Sequence, residues 1–214
     1  MNLKNYCWTF PSVLSQHLCD SIVKYGTMHQ EQLALTGTYG NKKADELNQK
    51  ELKDLKKLRD SNIVWLDDTW IYKEIHPYIN LANKESGWNF EWNYSERCQF
   101  TKYKLNQYYD WHVDSWSDPY TKNNDHEAIG KIRKLSVTCS LSDPNDYVGG
   151  ELEIYMGNKH APNSKKRKEI YACKEVLPRG SICVFPSFVW HRVKPVTKGT
   201  RYSLVIWNLG YPFK

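Results

Sequence analysis

The chain has 214 residues, 40% hydrophobic and 25% charged, with thirty Lys/Arg against twenty-four Asp/Glu for a formal charge of +6. That length suffices for one substantial core, and nine tryptophans and fifteen tyrosines supply large amphipathic surfaces, which excludes a disordered chain. The modest basic excess does not by itself make a nucleic-acid binder, and no apolar stretch approaches the roughly 20 residues of a spanning helix, so a soluble protein without membrane association is expected.

In chain order, Met1-Asn2-Leu3-Lys4-Asn5-Tyr6 has no apolar run behind it, so no secretory leader is expected. Val13, Leu14, Leu18, Ile22 and Val23 predict a helix over Ser12–Tyr25, capped by Ser12 or Ser15 and ended by Gly26. Leu47, Leu52, Leu55 and Leu58 predict a second, exposed amphipathic helix over Ala44–Arg59. Asp67-Asp68 starts a third through Trp70, Ile71, Ile75, Tyr78, Ile79 and Ala82, with Pro77 a potential kink. After Gly87 the alternation of Trp88, Phe90, Trp92 and Tyr94 has the period of a half-buried strand. Short strands are predicted at Gln99–Leu105, Trp111–Asp114, Lys134–Leu141, Glu151–Met156, Glu175–Leu177, Ser181–Phe185, His191–Val193 and Arg201–Trp207. The expected architecture is α+β with a mainly β core. It is a double-stranded β-helix, or jelly roll, over 88–214, backed by a helical region over 1–87, in a single domain spanning 1–214.

Two local features stand apart. Between Gly157 and Lys174 six Lys/Arg, including Lys165-Lys166-Arg167-Lys168, face Glu169 alone, which reads as a solvated loop or a docking surface for an acidic partner. Cys7, Cys19, Cys98, Cys139, Cys173 and Cys183 are scattered with no C-x-x-C pair, which fits reduced thiols in a cytoplasmic protein rather than a zinc ribbon or a redox dithiol.

The chemistry concentrates in His112-Val113-Asp114 and His191. On a strand, alternate side chains share a face, so His112 and Asp114 can reach one metal while Val113 points away, and His191 can come from a distant strand. Two imidazoles and one carboxylate on one face leave open coordination positions, the arrangement of non-haem Fe(II) oxygenases. Asp110 shares parity with Asp114 and competes with it as ligand. His17, His29, His76, His126 and His160 fall in helix or loop contexts and read as surface or packing residues.

Three blocks extend this set: Tyr109-Asp110-Trp111-His112-Val113-Asp114-Ser115; Arg133-Lys134-Leu135-Ser136-Val137-Thr138 through Leu141-Ser142-Asp143-Pro144 to Gly149-Gly150-Glu151-Leu152; and Pro178-Arg179-Gly180-Ser181 through Phe185-Pro186-Ser187 and His191-Arg192-Val193 to Gly199-Thr200-Arg201. With them the sequence resembles the Fe(II)- and 2-oxoglutarate-dependent dioxygenases of the prolyl 4-hydroxylase-like group, specifically the PKHD-type hydroxylases, over about half of the chain. The resemblance implies His112, Asp114 and His191 as iron ligands and Arg201 as partner of the distal carboxylate of 2-oxoglutarate. A guanidinium fork suits that carboxylate. Tyr103 and Ser203 are further candidates to hold the co-substrate. Gly149-Gly150 and Pro186 read as turn-formers that shape the site.

The resemblance further implies Fe(II), 2-oxoglutarate and O2 as cofactor and co-substrates, with ascorbate as a further ligand. The reaction would be oxidative decarboxylation of 2-oxoglutarate to succinate and carbon dioxide, coupled to hydroxylation of an unactivated C–H bond. The expected substrate is a prolyl residue in a protein or peptide, covered by Trp116, Tyr120 and the polar run Lys122–His126. The alternatives are a free amino acid or small metabolite as substrate, more remotely nucleic-acid dealkylation, and a jelly roll that binds a partner without turnover. The oligomeric state is left open.

Overall fold

A computed structural model describes residues 3–39, 42–122, 125–157, 162 and 169–213. His160, Lys165, Lys166, Arg167 and Lys168 of the basic loop, and Asn123 and Asn124, lie outside the described residues.

Three α-helices form among the described residues: α1 (Gln16–Met28), α2 (Gln49–Leu58) and α3 (Thr69–Glu85). The first predicted helix starts later than expected because Ser15 caps it, accepting from the Leu18 amide at 3.1 Å, while Ser12 takes a positive φ of 52°. Gly26 does not end it. It lies inside the helix, and the Phe100 ring accounts for the glycine there, since a Cβ would sit 2.6 Å from Phe100 Cδ1. α2 is shorter than predicted, with Ala44–Glu46 forming a separate 3-10 turn, and α3 runs through Pro77 as one helix.

Fifteen strands are seen among the described residues. The N-terminal third, read as helical, also supplies β1 (Trp8–Phe10), β2 (Gln32–Leu33), β3 (Arg59–Asp60) and β4 (Asn62–Leu66). The rest are β5 (Tyr94–Ser95), β6 (Cys98–Tyr103), β7 (Tyr108–His112), β8 (Ile132–Ser140), β9 (Tyr147–Gly149), β10 (Leu152–Tyr155), β11 (Ile170–Ala172), β12 (Ile182–Pro186), β13 (His191–Val193), β14 (Val196–Gly199) and β15 (Arg201–Gly210). The larger sheet runs β1-β12-β8-β15-β6-β4-β2, with β5 also paired to β15; the smaller runs β11-β10-β13-β7-β3; β14 and β9 pair alone. This is the α+β, mainly β, double-stranded β-helix expected.

Two strand predictions fail. From Trp88 to Asn93 the chain is irregular and only Tyr94–Ser95 pairs, because Gly87 and Asn89 take positive φ and the Asn83 side chain occupies the Phe90 backbone. The Asn83 amide donates to Phe90 O and its carbonyl accepts from Phe90 N, both at 2.9 Å, replacing a strand neighbour. Residues 175–177 overlap a 3-10 turn at Lys174–Val176, and the edge strand is Ile170–Ala172 instead.

The larger sheet divides its faces by chemistry. On β8, Leu135, Val137 and Cys139 join Leu204 and Ile206 of β15 in a core with Ile22 of α1 and Ile71, Ile75 and Ile79 of α3. Each such side chain contributes roughly 1.5–3 kcal/mol, whereas exposed ion pairs such as Lys57–Asp54 are screened by solvent, so the apolar face anchors the helices. The alternate residues Ser136, Thr138, Ser140, Arg201 and Ser203 are also buried, yet polar. By strand periodicity they face the smaller sheet, and the space between the sheets is therefore lined for a polar ligand. Elsewhere, Cys7 joins the distant Cys173 and Cys183 in a second core with Leu152, Ile154 and Phe185.

Candidate metal centre

His112 ends β7 and His191 begins β13, and the two are direct cross-strand partners. Facing residues of an antiparallel pair share a sheet face, so both rings enter the space between the sheets, their centroids 4.1 Å apart. Asp114 lies just past β7, not within a strand as predicted, and is fixed by its backbone: the Asp114 and Ser115 amides donate to Ser187 O at 2.8 and 3.0 Å.

The one donor atom from each of His112, Asp114 and His191 lies within 4.8 Å of the others, and all three residues are buried. His112 Nε2 is 3.7 Å from Asp114 Oδ1, and His191 Nε2 is 3.5 Å from Asp114 Oδ2. Ligands at right angles around one ion with bonds near 2.1 Å sit roughly 3 Å apart, so small rotamer adjustments close the set on a metal. Both rings are oriented for it. His112 Nδ1 bonds Asp110 O at 2.7 Å and His191 Nδ1 bonds Val189 O at 2.9 Å, which places each proton on Nδ1 and leaves Nε2 as the inward donor.

The carboxylate is oriented as carefully. Ser136 Oγ donates to Asp114 Oδ2 at 2.7 Å and lies 2.9 Å from Ser187 Oγ. Burial opposes ionisation of Asp114, but the His191 and His112 rings, Arg133 and the Ser136 hydroxyl outweigh it and hold the carboxyl at about 2. Burial, and His191 second, push His112 well below its ordinary 6.5, so that ring is neutral at pH 7. With the ring neutral, Arg133 and Ser136 take a larger part in keeping Asp114 ionised. A neutral imidazole beside an ionised carboxylate is the state a metal requires.

Among the described histidines, His17, His29, His76 and His126 stay outside this group. Asp110 is also outside it, because a register shift between His191 and Val193 leaves its side chain 47% exposed near Arg192.

Arg201 opens β15 opposite Tyr103 of β6, its guanidinium carbon 5.5 Å from the Tyr103 ring centroid. One amino group donates to Ser203 Oγ at 3.3 Å, and Arg201, Tyr103 and Ser203 are all buried. Gly150 makes room for this arginine: a Cβ there would lie 2.8 Å from Arg201 Cδ, and its φ is +66°. Trp116 is half exposed and packs on Gly37, while Tyr120 donates to Glu96, which also pairs with Arg133.

Several contributors have no role legible in the sequence, although Tyr109, Ser136 and Ser187 lie in the blocks that carry the resemblance. Tyr109 stacks on His112 with centroids 3.4 Å apart, Ser136 and Ser187 orient Asp114, and Arg59 lies 4.4 Å from the Tyr109 ring centroid.

The profile of the 2OG-Fe(II) oxygenase superfamily matches residues 98–208, just over half of the chain. A PKHD-type hydroxylase of Xylella fastidiosa (strain M23) is 34% identical over 110 residues, covering 51% of this chain and 42% of that protein. One of Synechococcus sp. (strain CC9605) is 35% identical over 103 residues, covering 48% and 37%. The matched segment thus spans under half the length of these relatives. Two solved structures share the fold at low identity. A Pseudomonas putida prolyl-4-hydroxylase has a TM-score of 0.58 at 19% identity, covering 99% of this chain and 96% of the other. A Trichoplax adhaerens prolyl hydroxylase in complex with a hypoxia inducible factor peptide fragment has 0.57 at 17%, covering 95% and 83%. No helix among the described residues is long and apolar enough to cross a membrane. The chain belongs to the 2OG-Fe(II) oxygenase superfamily.

Proposed function

We propose that this protein is a 2-oxoglutarate-dependent hydroxylase acting on a prolyl residue in a protein or peptide. The observation that carries the reading is the convergence of His112, Asp114 and His191 in a buried polar space that also holds Arg201. A structural metal site is usually closed by four protein ligands and has no use for a buried arginine beside it, so a non-catalytic binding module fits less well.

His112 Nε2, His191 Nε2 and an Asp114 oxygen would hold iron(II), with Ser136 keeping the carboxylate turned toward it. Arg201 would grip the distal carboxylate of 2-oxoglutarate through its planar fork, with Ser203 and the Tyr103 phenol beside it. Iron(II) with 2-oxoglutarate and oxygen supplies, when bound, the oxidising power for C–H hydroxylation with release of succinate and carbon dioxide. The protein's share is to orient these groups and to hold the co-substrate away from bulk water.

For the substrate, support comes from the names of relatives. PKHD-type hydroxylases match half of the chain, and the Trichoplax prolyl hydroxylase holds a peptide. The half-exposed Trp116 ring, near Tyr120 and Arg133, offers a flat surface for a prolyl ring.

The test is succinate release from 2-oxoglutarate with ferrous iron, with and without proline-containing peptides, in wild type and in Arg201→Ala. Stimulation by peptide and gain of one oxygen atom on a prolyl residue by mass spectrometry are expected. Arg201→Ala is expected to weaken 2-oxoglutarate binding far more than metal binding. Tight metal binding with no turnover under any condition would favour the binding module.

A further inference from the structure

Two guanidiniums are buried between the sheets, and the reading above uses only one. Arg59 is 3% exposed, and no carboxylate pairs with it among the described residues. Its Nε donates to Ser61 Oγ at 3.0 Å and one terminal nitrogen donates to Leu35 O at 3.2 Å. The other terminal nitrogen, Nη2, is buried without a hydrogen-bond partner. An unpaired buried cation is costly, and a single aromatic face offsets only part of that cost. The arrangement is the one expected of a group whose counter-ion arrives as a ligand.

The sheet register places Arg59 in the same space as the metal ligands. It is the direct partner of Tyr109, Tyr109 stacks on His112, and His112 is the direct partner of His191, so the four share one face of the smaller sheet. The charge of Arg59 also reaches the opposite wall: burial raises the Tyr103 phenol, and the Arg59 and then the Arg201 charge act to lower it.

We propose that Arg59 is a second carboxylate-binding residue of the pocket, its free terminal nitrogen taking a carboxylate of the co-substrate or of the molecule being oxidised. The proposal rests on the pocket being a 2-oxoglutarate site. The action of both Arg59 and Arg201 on the Tyr103 phenol points to the distal carboxylate of the co-substrate. A carboxylate-bearing substrate is the second source, because Fe(II), Asp114, 2-oxoglutarate and Arg201 already balance one another and leave the Arg59 charge over.

The experiment is calorimetric titration of Mn(II)-loaded protein with 2-oxoglutarate and with glutarate, then of the 2-oxoglutarate-saturated protein with L-proline and L-prolinamide. Wild type, Arg59→Gln, Arg59→Lys and Arg201→Gln are compared. A tenfold or greater loss of both dicarboxylates in Arg59→Gln, with Mn(II) affinity unchanged, assigns Arg59 to the co-substrate. Unchanged dicarboxylate binding with loss of a wild-type preference for L-proline over L-prolinamide assigns it to the substrate. Arg59→Lys keeps the charge but loses the fork, so it is expected to fall between, and it carries the test if Arg59→Gln does not fold. A folded variant that binds all four compounds as wild type does overturns the proposal. Wild-type protein that binds Mn(II) but neither dicarboxylate overturns the pocket reading itself, whatever Arg59 does.

Discussion

His191 is the direct cross-strand partner of His112, and the next partnered pair is Val193 with Tyr109, so two residues of β7, Asp110 and Trp111, stand opposite Arg192 alone. The extra residue reverses the alternation on β7. Tyr109 therefore stacks on His112, and Asp110, which strict alternation would have put beside Asp114, turns out toward Arg192. Asp110→Ala is expected to leave Mn(II) or Fe(II) affinity within a factor of about three, since an exposed pair contributes only ~0–1 kcal/mol. Asp114→Ala is expected to abolish specific metal binding. Equal losses in metal titrations of the two variants would mean that Asp110 is a ligand.

Ser136 is the hydroxyl on which the carboxylate depends. It donates to Asp114 Oδ2 and touches Ser187, and both serines are fully buried. Ser136→Ala removes one hydrogen bond without opening a large cavity, so the fold is expected to survive. Losing such a bond behind a metal ligand typically costs about 10- to 100-fold in metal affinity, and that is the expected result of calorimetry on this variant. Unchanged affinity would show that the Asp114 backbone bonds to Ser187 are enough.

Gly26 sets how closely α1 packs on the larger sheet. Alanine there would gain about 1 kcal/mol of helix propensity. Its Cβ would, however, lie 2.6 Å from the buried Phe100 ring, which is already stacked on Tyr202, and overpacking costs roughly 1–3 kcal/mol. The overpacking term is expected to win. Gly26→Ala should lower the urea midpoint with an unchanged slope, and an increase in stability would show that the helix can shift outward.

The clustering of His112, Asp114 and His191 and the fold class were legible because strand periodicity, the His112-Val113-Asp114 spacing and the blocks around these residues are signals carried by short stretches of chain. What stayed hidden depends on pairing between distant segments. Arg59 ends a Lys- and Glu-rich helix and reads as a surface residue, and only its pairing with Tyr109 brings it inside. Ser136 is one of several small polar residues alternating along its strand, and nothing local marks it as the partner of Asp114. Cys7, Cys173 and Cys183 lacked any sequence spacing and meet only in the fold. The predicted strand at Trp88–Tyr94 had the right period and failed because the Asn83 side chain had already taken the Phe90 backbone.

The His112 ring gives the metal-free protein a pH dependence whose sign is fixed by its surroundings. Burial, then His191, and more weakly Arg59, push its pKa well below 6.5, while Asp114 and the Asp110 carbonyl act the other way without prevailing. In the unfolded chain the same ring titrates near about 6.5. Between those two values the unfolded state binds more protons than the folded one, so stability falls as pH drops below about 6.5. Asp114, held at about 2, is ionised in both the folded and the unfolded chain above about pH 5.5 and adds no slope there. Proton competition at His112 against a metal likewise begins only well below the 6.5 that an exposed histidine would set. Urea unfolding of metal-free wild type and His112→Gln at pH 7.5, 6.5 and 5.5 isolates the ring: wild type is expected to lose stability relative to the variant at the lowest pH. Parallel pH profiles for the two proteins would mean that His112 titrates in the folded state as it does in the unfolded chain.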